Sequence, residues 1–154
     1  MLSTSAEYAL RIMAYISLQA GRRSIRANEL SKDVHVPRAY LSKILRRLVV
    51  SGILTATKGH GGGFTLAKPP SKIRIWHVIV SIDEDYLHPR CVFGWSACSD
   101  SKPCVLHQEW KKARNSFLKW AHKTTLASLR PKGSKYDIET QVNKLLKMHI
   151  NEKQ

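Results

Sequence analysis

A mainly α-helical fold is predicted: two short helices around a turn, a two-stranded hairpin, and one long helix after a cysteine-bearing loop. Three observations predict it. Apolar residues recur at helical spacing in three stretches before residue 52. Gly59, Gly61, Gly62 and Gly63 separate two β-prone segments. From Cys104 onward, Leu106, Trp110, Ala113, Phe117, Trp120 and Thr124 repeat with the 4-3-4-3-4 spacing of a heptad seam.

In the first helix Ala6, Leu10, Met13 and Ile16/Ala20 fall near one face. Gly21-Arg22-Arg23 reads as a turn and Ser24-Ile25-Arg26 as a short strand. Ala27 to Val34 forms a brief helix with Leu30 and Val34 at i,i+4, broken by His35-Val36-Pro37. The proline restrains the residue before it and suits the first turn of the next helix. Across residues 37–51, Leu41, Ile44, Leu45 and Leu48 make one stripe, while Ala39, Ser42, Lys43 and Arg46 lie opposite, and Gly52 caps the end. Helix, turn, helix, with a basic polar face on the second helix, is the arrangement that lays a recognition helix in a major groove.

Residues 53–58 and 64–68 then pair as a hairpin, which after a helix-turn-helix is a wing. Its glycines have two readings: a tight turn needing positive φ, or close backbone approach to phosphate. A P-loop is a poor reading, because no Gly-Lys-Ser/Thr follows with the required spacing. Pro69-Pro70 closes the unit. By its residues alone, Ile73 to Ile82 reads as strand or helix, and Asp83-Glu84-Asp85 as a solvated helix end. Residues 88–103 hold Pro89, Gly94 and Pro103 and read as a loop. The long helix beginning at Cys104 carries its seam either toward a core or toward a second copy. Two tryptophans and a phenylalanine exceed what so small a body buries, which favours the dimer interface. After a linker from Arg130 to Tyr136, Ile138, Val142, Leu145 and Leu146 suggest a short terminal helix. The expected division is therefore a winged helix-turn-helix DNA-binding domain at 1–72, cysteine loop and dimerisation helix at 73–129, and a tail at 130–154.

Charge supports a polyanionic partner. The net charge is +15, and residues 1–75 hold 13 Lys/Arg against Glu7, Glu29 and Asp33, a balance of +10. Nucleic acid is the commonest polyanion for a domain this basic, with an acidic membrane surface as the competitor. No signal peptide is expected, since Glu7 and Arg11 interrupt the first apolar stretch, and no run reaches transmembrane length. Three cysteines, an odd number without an export signal, argue against a disulfide scaffold and for the reducing cytoplasm.

All three cysteines sit with a histidine in Cys91-x6-Cys98-x5-Cys104-x2-His107. Thiolates and an imidazole suit zinc or an iron–sulfur cluster. Spacing alone leaves several readings open: a closed zinc site similar to CCCH RNA-binding fingers, an iron–sulfur centre, a metal-free thiol–disulfide switch, or buried small residues. Arg90 and Lys102 flank the loop and could offset the charge of a thiolate-bound centre. No nucleophile–base pair stands out, so an enzyme is not expected.

From about Ser3 to Leu129 the chain resembles the Rrf2 family of bacterial winged-helix regulators. The marks are Glu7-Tyr8-Ala9-Leu10-Arg11, Tyr40-Leu41, Lys58-Gly59-His60-Gly61-Gly62-Gly63-Phe64 and Ala67-Lys68-Pro69-Pro70. They continue with the three cysteines, Cys104-Val105-Leu106-His107 with Trp110, and Thr124-Thr125-Leu126. The resemblance implies a short helix rather than a strand within 73–82. It also implies a homodimer held by the long helix, with the cysteine loop close to the partner's DNA-binding domain. Finally, it implies a [2Fe–2S] or [4Fe–4S] cluster on Cys91, Cys98 and Cys104. In the IscR-like pattern the fourth ligand is His107; in the NsrR-like pattern it is an acidic residue of the other copy's first helix, here Glu7.

Departures from the family pattern are specific. Six residues rather than five separate the first two cysteines, Ser42-Lys43 stands where a Glu-Gln pair is common, and Lys58 replaces an arginine, losing its planar fork. The expected activity is cluster-controlled DNA binding, as a repressor. Arg38, Ser42, Lys43 and Arg46 are expected in the major groove, and Lys58 and His60 in the minor groove or on the backbone. Arg22, Arg23 and Arg26 are expected on phosphates.

Overall fold

The computed structural model describes residues 2–21, 23–87, 90–95 and 98–129. Arg22, Pro89 and the expected tail, with its linker and terminal helix (Ile138, Val142, Leu145, Leu146), lie outside the described residues. The fold is mainly α, as expected, with a two-stranded antiparallel hairpin.

Helix α1 (Thr4–Leu18) starts where the Ser3 hydroxyl accepts the Ala6 N–H at 3.1 Å. Ala6, Ala9, Ile12, Met13, Ile16 and Ser17 are its buried residues; Leu10, expected among them, is half-buried at the margin. Helices α2 (Ala27–Asp33) and α3 (Arg38–Val50) are joined by a turn in which His35 takes φ +49°. The α3 stripe is as read from the sequence: Leu41, Ile44, Leu45 and Leu48 are buried, and Ala39, Ser42, Lys43 and Arg46 exposed. Its end is a Schellman motif. At φ +66°, Gly52 donates its N–H to the Val49 carbonyl while Ile53 donates to Leu48, both at 3.0 Å.

A polar cluster ties α2 to α1. The Tyr15 hydroxyl donates to Asp33, and the Arg23 guanidinium pairs with Glu29. That hydrogen bond from Arg23 is the main reason the Glu29 carboxyl is held below the usual carboxylate range. Its contribution is therefore complete above the ordinary glutamate pKa and is lost as pH falls through the depressed one. Arg23→Ala should cost stability at pH 7, with the gap to wild type closing as urea titrations are moved toward pH 3. A gap that does not change with pH would count against the pair.

Strands β1 (Leu54–Thr57) and β2 (Gly63–Leu66) pair with Leu54 opposite Leu66 and Thr57 opposite Gly63. The short strand expected at residues 24–26 is a single bridge: Ile25 exchanges both backbone hydrogen bonds with Phe64, at 3.0 and 2.8 Å. Gly59 and Gly61 lie in open space at φ +92° and +77°, as a tight turn needs, while Gly62 and Gly63 are required by close approach. A Cβ on Gly63 would stand 2.6 Å from the Ile25 carbonyl oxygen and 2.8 Å from its carbon, and one on Gly62 would meet the backbone of Thr57 and Gly59. The close approach these residues serve is to the chain itself. Gly63→Ala should cost about 1–3 kcal/mol, because backbone on the far side cannot swing away. Urea denaturation checks this, and a loss below about 0.5 kcal/mol, the range of neutral surface changes, would contradict it.

Helix α4 (Ile75–Ile82) settles the strand-or-helix alternative, burying Ile75, Val78, Ile79 and Ile82. Extended residues precede it: Ile75 donates to Thr124 O and Leu126 donates to Ile73 O, both at 2.9 Å. Helix α5 (His107–Lys123) begins three residues later than the sequence suggested, after Pro103 and a turn at Val105–Leu106, with the Cys104 carbonyl accepting the His107 N–H at 3.0 Å. One core runs through α1, α3 and α4 and takes in Ala121 and Leu126, so the end of α5 is anchored on the same body as the helix-turn-helix.

Helix α5 meets the core through Ala121 and through Phe117 of the heptad seam, so its buried face overlaps that seam. His107 and Ala121 are buried by the chain itself. On the heptad seam, Leu106, Ala113 and Trp120 are exposed, while Trp110, Phe117 and Thr124 are half-buried. Among the described residues, no helix is long and apolar enough to cross a membrane.

Candidate DNA interface and cysteine loop

Because the core stripe of α3 faces inward, Arg38, Ser42, Lys43 and Arg46 are all exposed, on a helix that carries no acidic residue. Lys58 and His60 are exposed at the hairpin tip, and Arg26 is exposed at the N-cap of α2. Arg23 departs from expectation, since its guanidinium is engaged by Glu29 rather than left free for phosphate. Arg47, which the sequence reading did not single out, donates from Nη1 to the carbonyl of Ile82, the last residue of α4. The back of α3 is thus tied to the segment that leads into the cysteine loop.

The described residues of that segment make polar contacts. Asp83 caps α4, Asp85 pairs with Arg90 at 2.6 Å, and the Trp110 indole N–H donates to the Arg90 carbonyl at 2.8 Å. Arg90, expected to offset thiolate charge, is therefore partnered with Asp85. Cys91 is buried, Cys98 and Cys104 are half-buried, and all three thiols are free. Cys104 precedes α5 rather than opening it, two residues before the N-cap Leu106.

His107 is 3% exposed, and both its nitrogens are engaged: Nδ1 lies 3.3 Å from Cys98 Sγ, and Nε2 lies 2.7 Å from Asp100 Oδ1. Lys111 Nζ stands 2.7 Å from both Asp100 oxygens. The Lys111 hydrogen bond, then that from His107, holds the Asp100 carboxyl below the usual carboxylate range. Asp100 and Lys111 were missed from sequence. Their signal was an acid between the second and third cysteines and a His/Lys pair four residues apart, hence on one helix face.

Of the four in-chain donors expected, the structure brings Cys98 and His107 together. Among the described residues, no group of three or more His, Cys, Asp or Glu is gathered for a metal ion. Glu7, the other candidate, is exposed in the first turn of α1. In chemistry the donor set fits an iron–sulfur group: three thiols and an imidazole sit on one loop and the helix turn after it, two of them already in contact.

Residues 2–132 match the family model described as Rrf2, iron-dependent transcriptional regulator. A helix-turn-helix-type transcriptional regulator of Aquifex aeolicus (strain VF5) is 31% identical over 131 residues, covering 84% of this chain and 90% of the relative. The transcriptional regulator IscR of Serratia proteamaculans (strain 568) is 27% identical over 128 residues, 83% of this chain and 77% of that protein. Among solved structures, CymR, the global cysteine regulator of B. subtilis, superposes with a TM-score of 0.72 at 20% identity, covering 84% of this chain and 95% of CymR. IscR of T. potens gives 0.65 at 19% identity, with 82% and 83% covered. These likenesses agree with the hairpin-winged helical fold and with a regulator rather than an enzyme. The chain belongs to the Rrf2 family of DNA-binding transcriptional regulators.

Proposed function

We propose that this protein is a cytoplasmic repressor that binds an operator in duplex DNA as a homodimer and is switched by a [2Fe–2S] or [4Fe–4S] cluster in its cysteine loop. The Cys98–His107 contact, on a loop whose base is tied through Arg90, Asp85 and Arg47 to the back of α3, is the observation that carries it. Cys91, Cys98 and Cys104 would supply thiolates. The 3.3 Å contact favours His107 as fourth ligand over Glu7 of a second copy. When bound, the cluster would supply chemistry sensitive to redox state, nitric oxide and iron–sulfur supply.

The chain's own residues do the rest. Arg38, Ser42, Lys43 and Arg46 enter the major groove, with Lys43 and Arg46 long enough for guanine edges or phosphate. Lys58 and His60 reach the minor groove or backbone, and Arg26 a phosphate. Leu106, Trp110, Phe117 and Trp120 on α5 pack against their copies in the dimer. Loop rearrangement shifts α4, and with it Arg47 and α3; a tenfold change in operator affinity needs only about 1.4 kcal/mol of such coupling.

The decisive experiment is an ultraviolet–visible spectrum of anaerobically purified protein, with iron, sulfide and zinc measured on the same sample. Visible absorbance with iron and sulfide in ratio supports the cluster. Zinc alone, with failed reconstitution, replaces it with a structural metal. A second reading, a metal-free thiol switch, draws on the three free thiols, of which, among the described residues, only that of Cys98 touches His107. Protein that stays metal-free through reconstitution, yet changes DNA affinity with oxidant, would select it.

A further inference from the structure

A buried imidazole has a problem that its surroundings must solve: which nitrogen keeps the proton. His107 is almost wholly buried, so water does not decide the matter. Its Nε2 is 2.7 Å from Asp100 Oδ1, and Lys111 sets its ammonium 2.7 Å from each of the two Asp100 oxygens. A carboxylate flanked by an ammonium accepts hydrogen bonds and offers none. Nε2 is therefore the ring nitrogen that donates a hydrogen to Asp100, and Nδ1 is the one left facing the Cys98 sulfur at 3.3 Å.

We infer that Asp100, steadied by Lys111, is a positioning residue for His107. It fixes the Nε2–H tautomer and the ring's orientation, so that Nδ1 is the donor atom presented beside the Cys98 sulfur. The spacing makes this possible. His107 and Lys111 are one turn apart in α5, so a single carboxylate from the preceding loop meets both. The arrangement joins the loop between the second and third cysteines to the first turn of α5 through a contact made by neither thiol. The statement about the tautomer stands without any metal; that Nδ1 then ligates a cluster rests on the proposed function. Carboxylate partners of ligating histidines act in this way elsewhere, and their loss typically weakens metal binding about 10–100-fold.

The test separates the two levels. Long-range proton–nitrogen spectra of metal-free, reduced protein labelled at histidine nitrogen report the His107 tautomer directly, with thermal melts of each variant confirming the fold. Wild type should show Nε2–H alone. Asp100→Ala should show a mixture of tautomers, and Asp100→Asn, whose amide oxygen still accepts, should restore the wild-type pattern. A wild-type ring protonated on Nδ1, or an Asp100→Ala ring still held as pure Nε2–H, would overturn the positioning role. In protein reconstituted with ferrous iron and sulfide under argon, Asp100→Ala should lose iron to a chelator about 10–100 times faster than wild type. Equal rates would overturn the metal-facing half. Wild-type protein that assembles no cluster would sink the cluster reading while the spectra still judge the tautomer.

Discussion

Replacing Cys98 with alanine is expected to abolish the visible absorbance of anaerobically isolated protein and to change operator affinity by tenfold or more, with little change in melting temperature. The two effects separate because of where the residue sits. Cys98 is half-buried in a loop and belongs to no part of the core, so removing one sulfur opens no cavity among the helices. Yet it is the thiol already seated against His107, and its loss takes the best-formed edge of the donor set. A tenfold change corresponds to about 1.4 kcal/mol, a small demand on a loop linked to α3 through Arg90, Asp85 and Arg47. Val105→Ala is the matched control, being in the same loop and 94% exposed, and should leave absorbance, iron content and DNA binding alone. Absorbance, iron analysis and fluorescence anisotropy on labelled operator make the comparison. A Cys98→Ala protein that keeps its iron and regulates as wild type does would end the cluster assignment.

The helix-turn-helix and the wing were legible because their signals are local. The stripe of Leu41, Ile44, Leu45 and Leu48, the stop at Gly52 and the turn glycines Gly59 and Gly61 each act within a few residues, and each is found where expected. What stayed hidden depends on long-range partners. Periodicity cannot tell which residues of α5 meet the core. The answer came from Ala121 packing in the core and from the anchoring of Leu126 beside Ile73, a residue far from it in sequence. The engagement of Arg23 by Glu29, though only six residues away, is invisible in a count of basic residues. At the cysteine loop the donor types could be read directly, but Asp100 and Lys111 could not. A loop carboxylate becomes informative only when the fold brings a helix turn to it.

The double substitution Lys43→Ala, Arg46→Ala should weaken operator binding by about 100-fold or more at physiological salt, roughly 2.7 kcal/mol or above. Both side chains are exposed on the face of α3 opposite its buried stripe, so the fold has no stake in them. The manner of the weakening identifies what each side chain meets. If both residues meet phosphate, affinity should fall alike on operator and unrelated duplex, and the slope of log affinity against log salt should shrink by about 0.9 for each phosphate left unneutralised. If Arg46 forks onto a guanine, discrimination between operator and a base-substituted site should fall as well, by about 1–3 kcal/mol. Net charge alone is a competing explanation, because the chain carries +15 and any two neutralised cations weaken its attraction to DNA. Lys119→Ala, Lys123→Ala removes the same charge from exposed positions on α5 and isolates that contribution. Should the α3 and α5 pairs lose affinity equally, or the α3 pair less than twofold, α3 would not be the helix that enters the groove. A loss confined to the α3 pair, with the salt slope reduced, is the result that a recognition helix backed by Arg47 requires.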